Sequence, residues 1–113
     1  MVAAISILGG CNRPISDAEQ LKAIRAEAQT LIKTHAPARP SKWNNVPKDQ
    51  WPMAISSLHP EAVTVHVSGV NIITKAYFDG GYGYEVPRSK ADLLMPVACY
   101  SELSQGVFWH GPC

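Results

Sequence analysis

The hydrophobic period of this chain changes once, from helical to alternating, between Leu21 and Val67, and that change restricts the possible folds more than any other feature. Leu21, Ile24, Ala28, Leu31 and Ile32 recur at the spacing of one helix face, while Lys22, Arg25, Glu27 and Lys33 fall mostly elsewhere on the wheel. The pattern predicts one amphipathic helix of about 18 residues. Ser16-Asp17-Ala18-Glu19 places Ser and Glu three residues apart, a capping-box arrangement that satisfies free backbone N–H groups at a helix start. Pro37 and Pro40 end the helix, because proline lacks the N–H and disfavours helix in the residue before it.

From Val63 onward the period is two. Val63, Val65 and Val67 alternate with Thr64 and His66, which predicts a half-buried strand whose His66 faces solvent. Ser68-Gly69 joins it to Val70-Asn71-Ile72-Ile73-Thr74 as a hairpin. A Gly-rich turn follows between Lys75 to Phe78 and Tyr84 to Val86, and Val97 to Glu102 with Gly106 to His110 forms a last hairpin. Between helix and strands, Ala36 to Pro47 reads as an irregular connection with the Trp43 indole docked inward. A short second helix comes next, with Asp49 as its cap, Pro52 in its first turn, Trp51, Ile55 and Leu58 on its buried side and His59 at its end. Helices first and antiparallel strands afterward define an α+β fold, an N-terminal amphipathic helix and a short second helix packed on a small sheet of hairpins.

The chain has 113 residues, which predicts a single domain over residues 16–113. Its formal charge of +1 is spread without a run of like charges, so the electrostatic footprint of a nucleic-acid binder is missing. No stretch of ~18 apolar residues occurs, so the sequence contains no transmembrane helix.

Residues Met1 to Leu8 are almost wholly apolar and lead into Leu8-Gly9-Gly10-Cys11. This resembles the lipobox of bacterial lipoprotein precursors, in which a leucine and two small residues precede an invariant, lipidated cysteine. The resemblance implies that residues 1–10 form a signal-peptide-like segment ending at Gly10, that Cys11 carries the lipid, and that residues 11–15 are a tether. It also implies a membrane partner through the lipid anchor and a cell-envelope location facing the periplasm. Asn12, in place of the Asp associated with inner-membrane retention in enteric lipoproteins, favours the outer membrane. The resemblance covers eleven residues and carries nothing about the domain that follows.

If Cys11 is lipidated, Cys99 and Cys113 remain, and an even remainder in an oxidising compartment points to one disulfide. Such a bridge closes a loop of about 15 residues and stabilises by ~3 kcal/mol through loop-closure entropy. The alternative is two unconnected thiols.

Several residues have the chemistry of a site, and each has a plainer reading. Cys99, Cys113 and His110 fall short of a zinc site, which wants a fourth ligand or a water and closer paired spacing. Cys99 with His66 or His110 as base needs mutual reach and an orienting third group. Asp79 and Glu85 are expected to serve the Gly-rich turn. Gly80, Gly81 and Gly83 lack the following helix and Lys-Ser/Thr of a phosphate loop. No catalytic residue, metal site or cofactor is therefore expected.

The most informative patch is Lys75, Tyr77, Tyr82, Tyr84 and Arg88, aromatics with polar tips beside cations, suited to contacting a glycan or an envelope protein. The plainer reading is tyrosines packed over a sheet edge. The expected function is a non-catalytic, membrane-tethered interaction or structural module. A periplasmic inhibitor or immunity-type protein using the Tyr-rich loop is the second reading, and an envelope hydrolase the third.

Overall fold

The structure is a computed structural model that describes residues 13–39, 41–77 and 80–113. The lipobox-like segment, Cys11 included, lies outside the described residues, as do Phe78 and Asp79.

Helix α1 spans Ala18–Thr34 and buries Leu21, Ile24, Ala28, Leu31 and Ile32, the five positions of the predicted stripe. Its cap differs from the capping-box expectation. Asp17, not Ser16, is the N-cap, and its carboxylate accepts from the Gln20 N–H at 3.0 Å. A carboxylate at that position also sits favourably against the positive end of the helix dipole. The helix ends at His35, before either proline, when the His35 N–H closes on the Leu31 carbonyl.

The second helix, α2 (Met53–Ser56), is a single turn preceded by a 3-10 turn at Lys48–Gln50. Asp49 does not cap it. Pro52 is its N-cap residue and offers no side-chain acceptor, so the free N–H groups of Ala54 and Ile55 are taken by Glu27 of α1, each at 2.9 Å. A carboxylate off the apolar stripe thus staples the two helices together.

Six strands form one antiparallel sheet: β1 (Asn44–Asn45), β2 (Ala62–His66), β3 (Gly69–Tyr77), β4 (Gly80–Pro87), β5 (Tyr100–Ser104) and β6 (Val107–His110). Their spatial order is β1-β2-β3-β4-β6-β5. The two predicted central hairpins are present. The last one is shorter than expected, because Val97–Cys99 is a 3-10 turn and only Tyr100 onward pairs. β1 has no periodicity signal. It pairs through Asn44 opposite Val65 and Asn45 opposite Thr64.

The register sorts the side chains onto two faces. Val63, Val65, Val70, Ile72, Tyr84, Val86 and Val107 lie under α1 and form the core with its apolar stripe. The opposite face carries Thr64, Asn71, Glu85 and Phe108 in one cross-strand row, with His66 and His110 in neighbouring rows. Since β6 lies between β4 and β5, the connection from Pro87 to Tyr100 has to cross that second face. Residues 88–99 form this strap. Cys99 at its end is bonded to Cys113, just beyond β6, with Cα atoms 6.0 Å apart.

Candidate functional site

The second face of the sheet holds a group of buried polar side chains, of which pattern reading places His66 at the surface. Glu85 is 1% exposed, His66 3% and His110 5%. The expectation that His66 faces solvent is overturned. Alternation assigns it correctly to the face opposite Val63 and Val65, but that face is covered. The His66 ring stacks on Trp43 with centroids 4.9 Å apart, and its Nδ1 lies 3.0 Å from the Ser68 hydroxyl. Trp43 is 52% exposed, so its indole covers His66 rather than docking into the core. Val67, expected to be buried, is exposed in the β2–β3 turn. Burial lowers the His66 pKa from its ordinary 6.5, partly offset by the nearby Glu85 carboxylate.

Glu85 does not serve the Gly-rich turn. It sits mid-strand, and its carboxylate holds the strap: Oε2 accepts from the Leu94 N–H at 2.9 Å, and Oε1 accepts from the Tyr100 hydroxyl at 2.5 Å. The Tyr100 oxygen in turn accepts from the Met95 N–H at 3.1 Å. Burial, and next the bond to Glu85, push the Tyr100 pKa up. The Tyr100 ring meets both Phe108 and His110 edge-on. The one ion pair among the described residues, Lys90 with Glu102 at 3.9 Å, is on the surface. Buried Glu85 therefore has no basic side chain within ion-pair distance among those residues.

A half-open pocket of about 150 Å³ adjoins this group, lined by Asn71, Ile73, Glu85, Leu94, Met95 and His110 and reaching the Cys113 end of the disulfide. The His110 Nδ1 faces the Gly111 carbonyl at 3.2 Å. That carbonyl can only accept, so Nδ1 is the donor, and in the neutral ring Nε2 is an acceptor. His110 Nε2, Asn71 Oδ1 and His66 Nε2 are buried with no hydrogen-bond partner among the described residues.

The Tyr-rich patch does not come together as one surface. Tyr84 is 2% exposed, its ring edge-on to Trp109 and its hydroxyl accepting from the Ile15 N–H at 2.9 Å. It anchors the entry to α1, and burial raises its pKa. Arg88 lies at the far end of β4, donating to the Val67 carbonyl at 2.7 Å. Lys75, Tyr77 and Tyr82 do share one end of the sheet: Lys75 pairs opposite Tyr82, and Tyr77 meets Tyr82 edge-on at 5.7 Å. Tyr77 is exposed and Tyr82 half-buried.

Sequence reasoning missed the Glu85 group because strap residues 88–99 show neither helical nor alternating periodicity. The one available signal was the position of Glu85 inside the run Tyr84-Glu85-Val86, where a charged residue marks the second sheet face. Compared with protein-family models, curated proteins and solved structures, the chain matches none, so its own residues carry the functional reading.

The hydrolase reading finds little geometry. Cys99 is bonded to Cys113, which removes its thiolate as a nucleophile. The Ser68 hydroxyl touches His66 at Nδ1, and the other ring nitrogen has no partner among the described residues to orient it as a base. No group of three or more His, Cys, Asp or Glu placed to hold a metal occurs among the described residues.

Proposed function

We propose that this chain is a lipid-anchored module of the bacterial cell envelope that binds rather than catalyses. The observation that carries the reading is the pairing of Cys99 with Cys113, which leaves Cys11 as the single remaining cysteine, in the sequence Leu8-Gly9-Gly10-Cys11. A structural disulfide fits an oxidising compartment such as the periplasm, and a free cysteine after a leucine and two glycines fits acylation. Acyl chains contribute ~0.8 kcal/mol per buried CH₂, and more than one is needed for stable attachment.

Intact mass after expression in a Gram-negative host tests this reading. The expected product lacks residues 1–10, carries added acyl mass and gains two hydrogens on reduction. A full-length, unacylated chain overturns the envelope address. A second reading, an inhibitor or immunity-type protein, draws on exposed Tyr77 beside Lys75 and Tyr82. It predicts that Tyr77→Ala abolishes binding to the inhibited protein without altering the domain's stability.

A further inference from the structure

We infer that the pocket beneath the strap is a binding site for a primary ammonium group, with Glu85 as its counter-charge. The inference rests on the reading of this domain as a binding module but not on the lipid anchor. Three observations carry it. Glu85 is 1% exposed, yet it has no basic side chain within ion-pair distance among the described residues. A buried carboxylate is costly unless paired, and the donors it holds, one backbone N–H and one phenol, bring no positive charge.

The second observation is the pairing of that anion with unused acceptors. His110 Nε2 and Asn71 Oδ1 belong to residues lining the same pocket, and neither atom has a partner among the described residues. The carboxylate, the Asn71 amide oxygen and the Nε2 of a neutral His110 ring all accept hydrogen bonds, which suits an –NH₃⁺ group with three donors. Both unpaired atoms are shut from bulk solvent, so binding requires the strap, whose Leu94 and Met95 line the same pocket, to move.

The third observation is shape. A volume of about 150 Å³ is benzene-sized and holds a ligand of roughly six heavy atoms. Ile73, Leu94 and Met95 supply an apolar wall suited to a short alkyl stem rather than to a hydrated metal ion. An alkylammonium and the end of a lysine side chain offer the same head and stem, and the test separates them.

The oxidised full chain, labelled with ¹⁵N, is titrated with n-butylammonium chloride while the Leu94 and Met95 amide signals are followed. Those two N–H groups bond to Glu85 and Tyr100, so they report directly on the site. Saturable shifts are expected, with none from tetramethylammonium, which has no N–H. If Nα-acetyl-lysine amide gives the same shifts, a protein lysine is the source; if only butylammonium does, a free amine is. Glu85→Gln is expected to weaken binding at least ~10-fold, the loss of one charge-assisted contact, and Asn71→Ala by about threefold.

The proposal is overturned if no saturable shift occurs at roughly 10 mM butylammonium, ten times a weak millimolar affinity. It is equally overturned if tetramethylammonium, potassium, calcium or zinc gives the same response. Should Glu85→Gln fail to fold, the wild-type titration against tetramethylammonium still decides it. Failure here with a lipidated, truncated mass would remove the ligand and leave the envelope address standing.

Discussion

The two faces of the sheet are made by the same strands and stabilised in opposite ways. Under α1, Val63, Val65, Val70, Ile72 and Val86 meet an apolar helix stripe, and burial there is favourable at about 25 cal/mol per Å². On the other face His66, Glu85 and His110 are buried and Asn71 is half-buried, and one atom each of His66, Asn71 and His110 has no partner among the described residues. An unpaired buried polar atom costs about 1–3 kcal/mol, so these three atoms weigh against stability where the apolar face adds to it. A fold under selection for stability alone would fill the second face with Val and Ile. The difference is the ground on which the proposed ammonium site is placed on the second face, while the helix face carries the main apolar core.

The comparison can be broken most forcefully on the helix face. Ile72→Ala, at a fully buried position, is expected to lower the unfolding free energy by about 2–5 kcal/mol in urea melts, the range for cavities in a packed core. A loss below ~1 kcal/mol would mean that the helix face does not carry the fold. Reduction of Cys99–Cys113 comes next, at ~3 kcal/mol from the released loop entropy. Thermal melts with and without reductant measure it. Hydrogen exchange should then quicken at Leu94 and Met95 before it does at Ile24 of α1.

A smaller change sharpens the contrast. Tyr100→Phe removes the hydroxyl between Glu85 and the Met95 N–H, leaving both short of a partner, at a cost of about 1–3 kcal/mol. Its hydrogen-exchange signature should be confined to the strap. A uniform loss of protection across α1 would show that the two faces are not separable.

The smallest effect is that of pH. His66 titrates lower in the folded protein than in the unfolded chain, so below pH 6.5 the unfolded state binds the proton more readily. Stability should be unaffected by this group above that value. It should fall as pH drops from 6.5 toward the folded-state pKa, and level off below it. Melts of the wild type and His66→Gln across that range check the sign. If His66→Gln keeps the same slope, another group is responsible.

Much of the helix face was legible from sequence. All five stripe positions of α1 are buried and the hairpin between β2 and β3 is present, both resting on short-range periods that side-chain direction imposes, although its turn is Val67-Ser68 rather than Ser68-Gly69. The ends of elements were less legible. Asp17 rather than Ser16 caps α1, and the true cap of α2 is Glu27, 27 residues from Ala54 and invisible to any local pattern. Among the site candidates, the Cys99–Cys113 pair was anticipated by setting Cys11 aside on the lipobox resemblance, whereas Tyr84 proved to be core and Arg88 lies apart from Lys75, Tyr77 and Tyr82.

Sequence alone determined the α+β order, the buried stripe of the long helix, the presence of the hairpins and the odd number of cysteines, which leaves one outside any single bridge. All of these follow from local periodicity or from counting. Tertiary structure alone decided that Glu85, His66 and His110 are interior. Strand alternation says which face a residue points to, but a face becomes interior only when something covers it. Here the cover is the Trp43 indole over His66 and, over Glu85, a strap without periodicity, carried across β6 by the strand order β4-β6-β5 and tied at its end by the disulfide.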